Sequence, residues 1–450
     1  MARPAGYHPR MLQTSPGLSG DLKTDAAAFG QYWRRLDEAL ARLAPKARRD
    51  AAEAQAARET LQAGRDARAR FLRSHARAVY DALTHQRTKF LRVDELCRAA
   101  AAAFPGLVPD EAALARESGL PQGEKDGLEV DQGIFLAHVL ADPAAGAHLC
   151  HAMLLAREDS RAHLAELQTK GAVEFPGARV ERRGKASIVT MTNPRYLNAE
   201  DETTLPGLET AVDLALLDPQ TEVCVLRGGA VDHPKYAGRR LFGAGINLTH
   251  LYRGKIRFLW YMIRDLGLVN KFYRGLAKPE VSPEEDSIEK LWIAAVEGFA
   301  IGGHCQILLT MDQVIATEDA YLTLPARKEG IIPGAANLRL PRHVGERLAR
   351  AAILAERRIE CSSPEGRLIC DRVVPAAAMD AEIERTVELL TGSGLVSAAS
   401  NRRAFRAGEE PLDAFRRYMA VYAREQALCH FSPPLIANLE KHWDAANRRE

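Results

Sequence analysis

Residues 291–317, LWIAAVEGFAIGGHCQILLTMDQVIAT, restrict the fold more than any other stretch of the chain. They read as an apolar strand, a glycine turn, a short helix and a second apolar strand. Strands that alternate with helices at this spacing form βα units, in which helices cover a mostly parallel sheet. The segment TEVCVLRGG (221–229) joins as another buried strand. VEFPGARVERRGKASIVTMTNP (173–194) alternates and is β-branched, so it reads as strands joined by a turn at Arg183-Gly184. Upstream the texture is different. Residues 25–170 are dominated by Ala, Arg, Leu and Glu, all good helix formers. FGQYWRRLDEALARL (29–43) sets Phe29, Trp33, Leu36, Leu40 and Leu43 on one helical face, and 71–83 and 134–140 repeat that period. Breaks fall at Pro45, Phe104-Pro105-Gly106, Gly119–Gly127 and Pro143, residues 1–20 read as an arm, and 376–450 return to helix. The expected division is a helical domain at 1–172, an α/β core at 173–375 and a helical region at 376–450. Three units agree with ~150 residues per domain for a chain of 450.

Composition narrows the function. With 61 Lys+Arg against 59 Asp+Glu, no global basic field is available to recruit nucleic acid or anionic lipid. Seven scattered cysteines without a CxxC pair argue for a reducing cytoplasm and against a disulfide frame or zinc ribbon. The N-terminus has no apolar core of a secretory signal, and no apolar run approaches the ~20 residues that span a bilayer. No nucleic-acid or membrane partner is expected.

Two glycine segments carry the chemistry. Leu241-Phe242-Gly243-Ala244-Gly245-Ile246-Asn247-Leu248 follows the strand at 221–229 and a polar loop. Glu297-Gly298-Phe299-Ala300-Ile301-Gly302-Gly303-His304-Cys305-Gln306 joins a strand to a helix. Glycine lets backbone approach a ligand closely, and amides at a helix N-terminus are unpaired and partly positive. One amide from each loop, aimed at a single carbonyl oxygen, makes an oxyanion hole. The loop His233-Pro234-Lys235-Tyr236 with Arg239-Arg240 precedes the first segment and supplies cations suited to phosphates. A metal alternative would use His148, Cys150 and His151, with His138 and His163 nearby. It lacks a carboxylate at the spacing of a two-His-one-carboxylate site. A serine hydrolase is disfavoured because no GxSxG elbow occurs.

The paired glycine segments resemble those of the crotonase (enoyl-CoA hydratase/isomerase) superfamily. Asn193-Pro194 with Leu197-Asn198-Ala199 is similar to the family's early CoA loop, and Gly330-Ile331-Ile332-Pro333-Gly334-Ala335 to its GxxPGxG stretch. The resemblance covers about residues 173–450. It implies an α/β fold: a crotonase-type ββα superhelix with an all-helical N-terminal domain and a C-terminal helical trimerisation region, in a homotrimer or homohexamer. It also implies that the Ile246 and Gly303 amides hold the thioester oxygen. Residues Ala244, Gly245 and Asn247 would lie along CoA, with His233, Pro234, Lys235, Tyr236 and Arg240. The two positions where the family's hydratases carry glutamates hold Gln306 and Ala326 here, and neither side chain transfers a proton. Hydration by the usual route is therefore not expected.

Nearly the whole chain resembles one branch of that superfamily: metal-free, cofactor-free dioxygenases. They act on 3,5-dihydroxyphenylacetyl-CoA and O2 and release CoA and 3,5-dihydroxyphenylglyoxylate, on the way to the dihydroxyphenylglycine of glycopeptide antibiotics. The resemblance implies that no cofactor is needed and that the absent glutamates spare the carbanion from reprotonation. Glu200 and Arg264, with Gly302 and His304, are the candidate substrate contacts, and Gln306 a candidate catalytic amide. No base for the α-proton is evident. Other crotonase chemistry (hydratase/isomerase or thioesterase) and a non-catalytic acyl-CoA-binding protein are the alternatives.

Overall fold

The computed structural model describes residues 15–448, so the expected N-terminal arm lies outside the described residues as far as position 14. The chain forms two compact units. Among the described residues, one takes in 15–149 together with 252–259 and 416–437; the other takes in 150–251, 260–415 and 438–448.

The first unit is helical. Helices Leu22–Ala41 and Ala51–Leu83 open it, capped by the carboxylates of Asp21 and Asp50, which accept from first-turn amides. The periodic face of the first helix is buried at Phe29, Trp33 and Leu36, joined by Tyr32. Phe71 meets Phe29 and Trp33 at ring separations of 5.4 and 5.6 Å. Leu40 and Leu43 are only half-buried, because the helix ends at Ala41. The division expected at 172 and 376 is corrected here. The stretch 416–437 belongs with the N-terminal helices because its helix, Leu412–His430, packs on theirs. Gly133 permits the approach: a Cβ there would lie 2.4 Å from the Ala427 methyl. The buried Gln122 amide donates to the His430 carbonyl at 2.7 Å. Among the described residues no single helix is long and apolar enough to cross a membrane.

The second unit carries the strands β1 (Ala172–Phe175), β2 (Ala178–Arg183), β3 (Ala186–Met191), β4 (Val223–Gly228), β5 (Leu276–Ala277), β6 (Ser287–Ile288), β7 (Leu291–Val296), β8 (Phe299–Ile301), β9 (Gln313–Thr317), β10 (Tyr321–Thr323), β11 (Ile359–Glu360) and β12 (Arg372–Val374). A seven-stranded sheet runs β1-β2-β3-β4-β7-β9-β12, antiparallel through β3 and parallel from β3 onward. The turn expected at Arg183-Gly184 joins β2 to β3, with Gly184 at φ +56°. Strand β4 is buried along its whole length, which explains its unbroken apolar reading. One sheet face packs Ile188, Val225, Ile293 and Ile315 against Met379 and Ile383 of the helix Met379–Thr391. A second sheet, β11-β10-β8, ends at the glycine turn of the 291–317 segment. β3, β4, β7 and β8 all run into loops that converge on the two glycine segments.

Candidate active site

The first glycine segment is strung between two neighbours by backbone bonds. Gly243 N donates to Phe299 O at 3.2 Å, and Gly243 O accepts from Ile301 N at 3.0 Å. Two residues on, Gly245 O accepts from Glu200 N and Asn247 N donates to Glu200 O, both at 2.8 Å. In such a parallel bridge the central residue turns its own N–H and C=O away from its partner. The Ile246 amide is therefore left for another acceptor. In the second segment Gly302 adopts φ +54°, ψ −116°, which only glycine holds without strain, and starts the helix Gly303–Leu308. As the first helical residue, Gly303 has no carbonyl behind it for its N–H. A Cβ on Gly245 would lie 2.8 Å from Ile301 O and 3.4 Å from Gly303 N, so the two free amides sit on touching backbones.

His304 ties the loops together. Its Nδ1 accepts from Gly245 N at 2.9 Å, and the ring fills the space a Cβ on Gly243 would need. Burial lowers its pKa to about 4, so the imidazole is neutral and can accept.

Behind Gly303 lies a buried polar cluster. A π-helical turn, Arg264–Leu268, presents Arg264. Its Nε and Nη2 grip the Glu200 carboxylate at 3.0 and 2.7 Å. Nη2 also donates to Gly303 O at 2.9 Å, and Nη1 to Gln306 Oε1 at 2.6 Å. Gln306 Nε2 donates in turn to Asp265 Oδ1 at 2.9 Å. A Cβ on Gly303 would meet Arg264 Nη2 at 2.8 Å, and one on Gly334 would meet Gln306 Nε2 at 2.2 Å. These contacts are why both loops need glycine. Glu200 itself is placed by Leu197 and Asn198, both at positive φ; the Asn198 amide donates to Gly229 O and Leu241 O and holds that turn.

Beside Ile246 opens a cavity of about 440 Å³. Leu197, Ala199, Ala244, Ile246, Leu248 and Ile301 make its apolar wall. Arg195, His233 and Arg448 contribute cations, and Glu329 contributes a carboxyl. Glu329 ends the helical turn Ala326–Glu329, which Gly330 closes in a left-handed conformation. Both its carboxylate oxygens lie 3.7 Å from where a Cβ on Gly302 would stand. The side chain has no bonded partner among the described residues, and burial alone raises its pKa to about 7.

The enoyl-CoA hydratase/isomerase profile matches residues 181–421. The chain is 46% identical over 430 residues to the (3,5-dihydroxyphenyl)acetyl-CoA 1,2-dioxygenase of Amycolatopsis orientalis, covering 95% of this chain and 98% of that protein. The chain belongs to the crotonase family. It is also 28% identical to the 2,3-dehydroadipyl-CoA hydratase of Escherichia coli, over 47% of this chain and 72% of that one. A solved enoyl-CoA hydratase from Mycobacterium avium subsp. paratuberculosis superposes with a TM-score of 0.49 at 21% identity, covering 60% of this chain and 97% of its own.

The crotonase site thus brings Ile246, Gly302 and Gly303 together with Glu200, Arg264 and Gln306. His304 sits between the loops and does not line the cavity. Of the expected CoA contacts, His233, Ala244 and Asn247 line the cavity, while Gly245 and Pro234 do not. The Asn247 side chain is committed to Asp201 Oδ2 at 2.9 Å. Lys235 lies over the Tyr236 ring at 5.1 Å, and the exposed Arg240 donates to Gly228 O at 3.5 Å. Gln306 and Ala326 occupy the hydratase glutamate positions, yet the cavity is not free of carboxyls. Residues 326 and 329 share one face of a helical turn, so an acid three residues on reaches the same space. That offset, just before Gly330-Ile331-Ile332-Pro333, was the signal available in the sequence. Arg195 and Arg448 also went unread. His148 Nδ1 meets Tyr80 OH at 2.7 Å, and His151 Nε2 meets Lys278 O at 2.8 Å. Among the described residues no three His, Cys, Asp or Glu side chains form a metal-ligand group.

Proposed function

We propose that this chain is a dioxygenase that converts 3,5-dihydroxyphenylacetyl-CoA and O2 to 3,5-dihydroxyphenylglyoxylate and CoA. The observation that carries this reading is the near full-length identity to the Amycolatopsis orientalis enzyme, joined to an oxyanion pair whose hydratase glutamates are replaced. The thioester oxygen sits on the Ile246 and Gly303 amides. Removal of an α-proton puts charge on that oxygen, where two oriented N–H groups stabilise it; losing one such donor typically costs ~3 kcal/mol. The ring and the thioester both delocalise the carbanion, and an enolate this electron-rich reduces O2 directly. The peroxide formed at Cα attacks the thioester carbonyl and expels CoA as its thiolate; loss of the remaining Cα proton to solvent then breaks the O–O bond and leaves the α-keto carboxylate. No step in that sequence calls for a metal or an organic cofactor.

Glu200 and Gln306, oriented by Arg264, are the polar groups that suit ring hydroxyls. Arg195, His233 and Arg448 at the cavity, with the Lys235 and Arg240 loop, suit the CoA phosphates. The protein works as a homotrimer or homohexamer in a reducing cytoplasm, a reading supported by its family and its seven free cysteines.

Oxygen uptake by chelator-treated protein given 3,5-dihydroxyphenylacetyl-CoA, with free thiol followed in parallel, tests the reading. Uptake matched one-to-one by CoA release is the expected result. Thiol release without uptake would make the protein a thioesterase, and neither signal would remove the substrate.

A further inference from the structure

We propose that Glu329 is the base that removes the α-proton of the bound thioester. The inference rests on the dioxygenase reading for its substrate and on the cavity for its geometry. Three observations support it.

Glu329 lies at the mouth of the oxyanion turn, its oxygens 3.7 Å from the Cβ position of Gly302 and in the same wall as Ile246 and Ile301. Ile246, which carries one of the two amides, lines the same cavity as this carboxyl. The second observation is that the carboxyl is uncommitted. On its own turn, Arg327 and Lys328 bond Glu356 at 3.4 and 2.7 Å. Glu200, behind Gly303, is held by Arg264. Arg195, His233 and Arg448 also line the cavity, and among the described residues no ion pair joins them to Glu329. Third, an acid left alone among apolar side chains is a stronger base than one in water, because burial disfavours its charged form. A base is most effective when its pKa lies near the working pH, and burial sets this one at about 7.

The step balances simply. The Cα–H bond breaks and its electron pair becomes the enolate, with charge on the oxygen held by the two amides. The proton goes to Glu329. When the thiolate of CoA departs later, protonated Glu329 returns the proton to sulfur and regains its charge. Return to Cα instead regenerates substrate, and without oxygen it shows as exchange with solvent.

The test uses the full chain and 3,5-dihydroxyphenylacetyl-CoA in D2O. Anaerobic deuterium uptake at Cα is read by mass spectrometry, and oxygen uptake is read in air. Wild type exchanges, with a rate that falls roughly tenfold per pH unit below about 7. Glu329→Gln loses exchange and oxygen uptake by roughly 100-fold or more and has no such pH limb, while thioester affinity and circular dichroism stay near wild type. Glu329→Asp restores part of the rate and, if the amide variant does not fold, is read in its place through a shifted pH limb. Exchange at the wild-type rate in Glu329→Gln, or an unshifted limb in Glu329→Asp, overturns the proposal. The oxygen arm separates the two ideas. Wild-type uptake with undiminished Glu329→Gln sinks the base alone. Wild-type exchange that depends on Glu329 without any uptake sinks the dioxygenase and keeps the base. Wild type that does neither sinks both.

Discussion

Glu200 and Glu329 are the same residue type in the same unit, and each is 3% exposed. Their surroundings are opposite. Glu200 is gripped by two nitrogens of Arg264, inside a network that continues to Gln306 and Asp265. Glu329 faces apolar side chains and the cavity, with no bonded partner among the described residues. A buried acid gripped by a guanidinium serves as a fixed support. A buried acid that is alone exchanges protons near neutrality. One wall of the site therefore holds geometry, and the other is free to do proton chemistry.

Removing the support should show the largest effect. Arg264→Met strands the Glu200 and Asp265 carboxylates in a buried site, and chemical denaturation should show a loss of roughly 3–5 kcal/mol. A loss under 1 kcal/mol would mean that water already reaches this cluster, and the contrast between the walls would collapse.

The opposite wall should respond with the opposite sign, and with pH. The Glu329 carboxyl is raised from 4.5 to about 7, so the stability linked to its protonation is complete below pH 4.5 and lost as pH rises through 7. Glu329→Gln removes that loss. Relative to wild type, the variant should gain up to roughly 3 kcal/mol between pH 4 and pH 8. Thermal melts at the two pH values measure it, and an equal difference at both would place the carboxyl in ordinary solvent.

The smallest effect belongs to the tie between the loops. His304→Leu deprives Gly245 N–H of its acceptor, for roughly 1–3 kcal/mol. The imidazole is depressed from 6.5 to about 4, so its contribution in wild type is present above pH 6.5 and lost as pH falls toward 4. His304→Leu should flatten that acid limb. A slope that survives the substitution would assign it to other groups.

These contrasts mark what could be read before the fold was known. The amides of Ile246 and Gly303 were legible because the requirement is local: glycine at 302, with φ +54°, and at 245, with φ +79°, announces close backbone approach. Gln306 and Ala326 were legible as departures for the same reason. The acceptor role of His304 Nδ1 is not legible in the sequence, because it depends on where Gly245 arrives from a distant segment. Nothing in the pattern of the helix Leu412–His430 names Gly133 as the surface it packs on, so its own sequence reads as part of a separate region.

The sequence by itself determined the alternation of strands and helices after residue 171, the helical texture before it, and the two glycine turns that free a pair of amides. All of these follow from local rules of periodicity and backbone sterics. Only the tertiary structure decided which acid is paired and which is bare. A carboxyl's chemistry depends on its neighbours in space, and Arg264 reaches Glu200 across 64 residues of chain while nothing comparable reaches Glu329.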